Sequence, residues 1–567
     1  MGLASSCECE SCAAPVAGSE ILGKALSAFA DEDLSSDSSH GASPDASDVA
    51  MATWPLPTVA QLRRGGGPGG DCLSVDTEVL RTVSLRSSLR QAGWLWRLQP
   101  RNLTHRQLEA LWPMAKPGTG YDMFLSHTWH TPGERKFWSL LLAFNWHLGL
   151  LGCFVGVSVA LLLYAMDAVP MPLIYVAQFQ GFGEVCPLGP WALLLTPLCG
   201  ASALLLSPYL PRRGSDNVFF DLACINQTNT ELKEKGIYGI AGWLSVTDEL
   251  RILWSPPYLS RLWCVFELAA YRMANPSGRI TFQPIFVETL VLSSFFGIAA
   301  IQGTYLATLQ FPSVQGLAGV QAVVCFGIIL PLVHIVRSYM REKHAAVWQL
   351  ENFDLTMVDC DVDFDRRFVY GAIRKWYGSE ENFVGFVRGT LAQELEKRIY
   401  VIQVPWVYHL LTVCPYLGGW VDLACALWKG GAPSSCVLSF GIGMCLTCAV
   451  WATVSVELVY ILSDFFAARK KSRLADFMVD LGILVVVALV VLMQTTASRV
   501  AYGAAPFSTP QADESASQDA FLCVNSIWAS TTLLALVLAI AVLLFRPSLR
   551  QRLCRRAKHA SGPRPWE

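Results

Sequence analysis

Eight stretches of this chain are each apolar for long enough to cross a lipid bilayer. They lie at about 141–165, 188–210, 285–308, 316–338, 401–428, 437–463, 477–495 and 521–545, and a helix needs roughly 20 apolar residues to span the hydrocarbon. Inside lipid every backbone N–H and C=O must be satisfied within the segment, so such runs fold as helices. An all-α membrane part is therefore expected before any other feature is weighed. Composition points the same way: 53% of the 567 residues are hydrophobic and 16% charged, with a mean hydropathy of +0.38. A formal net charge of -2 argues against nucleic acid as a partner.

The charges between the spans set the orientation. The loops after spans one, three, five and seven carry only Lys429 and Arg499 as basic residues. The opposite segments hold Arg212, Arg213, Lys233, Lys235, Arg341, Lys343, Arg366, Arg367, Arg469, Lys470, Lys471 and Arg473, and the tail 546–567 adds a further basic cluster. Lys and Arg concentrate on the cytosolic side, so both termini are expected in the cytosol, with the tail on anionic lipid. The sequons at Asn102 and Asn226 then face the wrong side for glycosylation. The 18 Cys are scattered, and no disulfide framework is expected.

The chain opens MGLASSCECESC, in which Gly2 and Ser6 fit the N-myristoylation pattern and Cys7 is placed for palmitate. One acyl chain anchors weakly and two firmly. Residues 1–75 are rich in Ser, Asp, Ala and Gly and are expected to be disordered. Two short amphipathic helices are expected next. One runs near Val83–Leu98, with Leu85, Leu89 and Trp96 opposite Arg86, Arg90 and Arg97; the other follows Thr104, with Gln107 completing a capping box.

The polar segments read as pieces of one α/β domain, 80–137 and 211–287, interrupted by the membrane hairpin 141–210. Strands are expected at Tyr121, Val218, Leu250 and Ile280, forming a parallel sheet. The stretch LRILWSPPYLSRLWCVFELAAY (250–271) carries the clearest βα signal: a buried strand, a Pro256-Pro257 turn and a helix opened by Ser260 at its N-cap. A second hairpin, 285–338, leads to a helical cytosolic segment, 339–399, and then to the last four spans in 401–545. Ligands of open α/β sheets bind at the carboxyl ends of the strands. Here those ends bring Ser126, His127, Asp221 and Ser255 together. Glu267, the lone acid of an apolar helix, would lean back toward the same rim.

These residues resemble a known family. YDMFLSHTW at 121, FFD at 219 and SRLWCVFEL at 260 look like the boxes of Toll/interleukin-1 receptor (TIR) domains, the plant versions above all, and DLACINQ is similar to fungal heterokaryon-incompatibility domains. The resemblance covers about 121–137 and 216–287, under a third of the chain. It implies a flavodoxin-like fold and cleavage of NAD at its nicotinamide–ribose bond, with Glu267 as catalytic acid, Trp263 beside it, and NAD as substrate, no resident cofactor being certain. The sequence departs from the family at His127, where the plant domains usually carry an aromatic, and it lacks their Arg-Gly-Glu-Asp continuation. A fifth strand would have to come from beyond residue 339 or be missing. Many TIR domains are pure adaptors that assemble by self-association and do no chemistry, so signalling or scaffolding at a membrane is the expectation, either with NAD hydrolysis at Glu267 or with Glu267 in a structural role.

Other candidates are weaker. His127, Trp129, His130 and Asp221 read as cleft-lining and packing residues rather than a metal site, and DCDVDFD (359–365) lacks the Gly and final Glu of a calcium loop. The acids within spans, Glu288, Asp422 and Glu457, have no basic partner in the same spans and mark a cation path or interhelical bonds. They support the rival function, an ion channel or transporter whose α/β domain is a non-catalytic gate or support.

Overall fold

A computed structural model describes residues 79–177, 182–211, 214–310, 317–360, 362–395, 404–501 and 519–546. Gly2, Cys7, the expected disordered segment 1–75 and the basic tail beyond Arg546 lie outside the described residues. The fold is mostly helical, with one six-stranded mixed sheet and a separate two-stranded hairpin.

The first helix expected near Val83–Leu98 is in part a strand. β1 (Arg81–Ser84) enters the sheet, and α1 (Leu85–Arg97) follows, capped by Ser84. The chain leaves helical geometry at Arg90–Gly93, where Gln91, Ala92 and Gly93 take positive φ. A helical pattern alone did not show that break. Leu85, Leu89 and Trp96 are buried as expected. α2 (His105–Leu111) has the Thr104–Gln107 capping box, then the short β2 (Lys116–Pro117) pairs with β1.

β3 (Met123–Ser126) is buried throughout and leads through Pro132 into α3 (Gly133–Ala165). The antiparallel β4 (Leu173–Val176) and β5 (Val185–Leu188) lie at the far end of α3, and α4 (Trp191–Leu206) returns alongside it. Small residues let those two helices meet: a Cβ added at Gly152 would lie 2.5 Å from the Cys199 carbonyl oxygen. β6 (Asn217–Phe219), α5 (Asp221–Cys224), α6 (Thr230–Ser245), β7 (Glu249–Trp254), α7 (Leu262–Ala274) and β8 (Arg279–Pro284) complete the α/β part.

The strand order is β2-β1-β6-β3-β7-β8. β6, β3, β7 and β8 run parallel, with Met123 opposite Val218, Phe124 opposite Leu250, and Leu250 opposite Ile280. The four expected strands thus share one sheet in spite of the hairpin between β3 and β6. β1 and β2 are antiparallel additions on the β6 side, so the sheet is mixed rather than wholly parallel. Parallel strands buried on both faces need near-continuous apolar runs, and Phe124 and Phe219 stack at 4.1 Å between centroids across the β3–β6 junction.

β8 runs directly into α8 (Phe286–Thr308), followed by α9 (Leu317–Glu351), α10 (Asp363–Tyr377) and α11 (Glu380–Phe386). No fifth parallel strand occurs among the described residues after 339. Instead α10 packs on the outer face of α7, where Phe368 and Trp376 meet Phe266. α12 (Trp406–Lys429), α13 (Ser434–Phe465), α14 (Arg473–Ala501) and α15 (Asp519–Leu544) close the bundle. Among the described residues, seven helical segments are long and apolar enough to cross a membrane: α3, Trp191–Tyr209, α8, α12, α13, Arg473–Ser498 and Ile527–Leu544. They coincide with seven of the eight expected spans. The remaining one, about 316–338, falls within α9. Cys436, at the start of α13, is disulfide-bonded, while every Cys from Cys153 to Cys425, with Cys445 and Cys448, is free.

Candidate functional site

The carboxyl ends of β3 and β7 converge with the first turns of α7. Ser126 ends β3, and its hydroxyl donates to Glu267 Oε2 at 2.5 Å. The Tyr258 hydroxyl lies 2.5 Å from the same Ser126 oxygen. Ser126 has one hydrogen, committed to Glu267, so Tyr258 donates to Ser126 in turn. Burial pushes the Glu267 carboxyl up to about 8, against the pull of the Ser126 hydrogen bond and with the charge of Asp221 adding to the rise. Burial, and then the neighbouring Cys264 and Glu267, also keeps Tyr258 protonated.

The Ser260 N-cap expected for α7 is absent. Arg261 holds that position without a side-chain cap, and the Ser260 hydroxyl donates to the Pro257 carbonyl. The α7 N-terminus is satisfied from the segment 359–365 instead. Leu262 N–H donates to the Asp359 carbonyl and Asp359 N–H to the Ser260 carbonyl.

A second group lies beside the first. His127 is buried between the rings of Trp96 and Trp129. Its Nδ1 is 3.2 Å from Lys136 Nζ, and its Nε2 is 3.6 Å from Asp221 Oδ1. Trp129 Nε1 donates to Asp221 Oδ2 at 2.8 Å. Burial and the adjacent Lys136 hold the His127 imidazole below its ordinary value, which keeps it neutral. Burial alone would raise the Asp221 carboxyl, but His127, the Trp129 indole and Lys136 together draw it below the usual range. The Cys264 thiol, which donates to the His127 carbonyl at 3.5 Å, is pushed far up by burial and stays a thiol.

Ser126, His127, Asp221 and Glu267 are therefore gathered at one rim. Ser255 joins through Thr131, whose hydroxyl is 2.6 Å away. Trp263 faces elsewhere: its indole donates to Asp365 and packs against Phe368 of α10. Sequence reasoning passed over Tyr258, Thr131 and Lys136. Tyr258 follows two prolines and read as a turn. Lys136, just ahead of an apolar run, was not singled out, yet its side chain is only 1% exposed and turns inward to His127. Among the described residues no group of three or more His, Cys, Asp or Glu is placed to hold a metal ion.

The three acids expected in spans are all engaged. Glu288 accepts from Ser139, which accepts in turn from Gln283. Asp422 accepts from the Tyr164 hydroxyl and from the Ala192 and Leu193 N–H groups, capping α4 from α12. Glu457 lies 3.1 Å from His409 Nε2, and both are buried. Compared with protein-family models, curated proteins and solved structures, the chain matches none.

Proposed function

We propose that this chain is a membrane-embedded signalling protein whose α/β module is of the TIR type and hydrolyses NAD, with Glu267 as the catalytic carboxylate. In this view α9 supplies the eighth span, both termini lie in the cytosol, and the modules of neighbouring chains self-associate. The observation that carries the assignment is the position of Glu267. In chain order the parallel strands lie second, first, third, fourth (β6, β3, β7, β8), as in flavodoxin-like sheets. Their switch point falls between β3 and β7, and the Ser126–Glu267 hydrogen bond lies at the carboxyl end of β3 beside it.

The chemistry suits that place. Heterolysis of the nicotinamide–ribose bond sends the bonding pair to nicotinamide and leaves oxocarbenium charge on the ribose, which water then captures with loss of a proton. A carboxylate aimed at the ribose stabilises that charge. In the resting site Glu267 is neutral at pH 7, and the cationic nicotinamide ring favours its ionisation on binding. Asp221, held ionised through Trp129 and His127, adds negative potential nearby. The rival reading, a channel or transporter, gains nothing from Glu288, Asp422 and Glu457, since each is bonded within the bundle.

The test is release of nicotinamide from NAD by the purified full-length protein. Turnover by the native chain, reduced roughly 10²-fold or more in Glu267→Gln with NAD binding retained, is the expected result. An inactive native chain, or an active Glu267→Gln, removes the assignment.

A further inference from the structure

On the exposed side of the helical bundle, α3, α12, α13 and α15 enclose a groove of about 710 Å³. That volume falls within the range of small-molecule sites. Its lining is almost wholly carbon: Phe154 from α3, Leu410 and Val413 from α12, Val450 from α13 and Val542 from α15. Ala449 and Ala541 are the small residues that leave the space open. Phe154 and Val542 are largely exposed beside it, and Trp406 stands exposed at the end where α12 begins. His409, backed by Glu457, and Phe545 form that same end.

A cation stands at that end. Arg546 is exposed and directly follows Phe545, and the chain continues through Arg550, Arg552, Arg555, Arg556 and Lys558. The facing acid, Glu457, is fully buried behind His409. An apolar groove in the helical bundle that opens beside the exposed Arg546 fits one kind of molecule, with a hydrocarbon chain and an anionic head.

We infer that the groove binds an acyl chain of an anionic phospholipid, whose phosphate lies against Arg546. The chain fills the space over Ala449 and Ala541, and the headgroup rests at the Trp406 end. This site rests on the membrane placement of the bundle and not on Glu267, so it stands or falls separately from NAD cleavage. Each basic residue near an anionic surface contributes enough to change affinity several-fold, and reversing one should weaken binding roughly tenfold or more.

The experiment uses full-length protein delipidated in neutral detergent and titrated with phosphatidylserine or phosphatidylcholine of identical chains, read by native mass spectrometry. One phosphatidylserine retained per chain is expected, with phosphatidylcholine and soluble glycerophosphoserine failing to compete. Arg546→Glu should weaken retention roughly tenfold, and Ala541→Trp, which fills the groove, should abolish it. Equal retention of both lipids would overturn the site, as would phosphatidylserine binding that survives Ala541→Trp. Where Ala541→Trp lowers the lipid-free melting temperature, Arg546→Glu and a series of shortened acyl chains decide. Insensitivity to both charge and chain length would likewise overturn it.

Discussion

Glu267→Gln should make the protein more stable in alkaline solution and leave acid stability almost unchanged. The folded state holds the Glu267 proton to about pH 8, whereas the ordinary value is 4.5. A raised carboxyl binds its proton more tightly folded than unfolded, so stability is full below 4.5 and falls as pH rises toward 8, levelling above that. At about 1.4 kcal/mol for each pH unit, the whole interval amounts to about 5 kcal/mol. Because the side chain keeps some contact with water, about 3 kcal/mol is the better expectation. Gln keeps the shape and can accept from Ser126, yet it has nothing to ionise. Melting and denaturant midpoints measured from pH 5 to pH 9.5 should therefore diverge, the variant gaining several degrees over the native chain at the alkaline end. Two curves that stay parallel across the range would show that Glu267 titrates as a surface carboxylate, and the buried-acid argument would fail.

Other changes probe neighbouring contacts. Ser126→Ala removes the hydrogen bond that favours the Glu267 anion, so the alkaline rise expected of the proposed NAD hydrolysis should move to higher pH, as a rate profile would record. Asp422→Ala leaves two buried α4 N–H groups without their acceptor, while the Tyr164 hydroxyl still reaches the Gly189 carbonyl; this should cost about 2–4 kcal/mol and appear as a lowered melting temperature. Gly133→Ala places a Cβ 1.8 Å from the Trp96 carbonyl oxygen. Backbone must then move, and the yield of folded protein in detergent should drop sharply.

Much of this arrangement was legible from residues alone because the strongest signals are long or strictly patterned. Apolar runs located the helices of the bundle, and the Leu250–Trp254 and Met123–Ser126 runs located sheet strands, since strands buried on both faces admit little else. The Thr104–Gln107 cap was local chemistry and read correctly. What escaped notice depended on distant partners. β1 is a strand because Val83 pairs with Val218, which no local pattern around Val83 announces. The missing Ser260 cap was pre-empted by the 359–365 segment, about 100 residues further on. Glu457 looked unpaired because its partner, His409, comes from another helix, and Lys136 drew no notice because its target, His127, lies across a turn.

The reunion of β3 and β6 across a hairpin of long apolar helices is most directly tested by oxidative cross-linking of Met123→Cys with Val218→Cys in the full-length protein. Those positions are register partners in adjacent parallel strands, where the Cα separation suits a disulfide. The 123–218 bridge should form readily, while Met123→Cys with Ile280→Cys, two strands apart, should not. Failure of the first pair, or labelling of positions 123 and 218 from opposite sides of the membrane, would contradict the shared sheet and the crevice built on it.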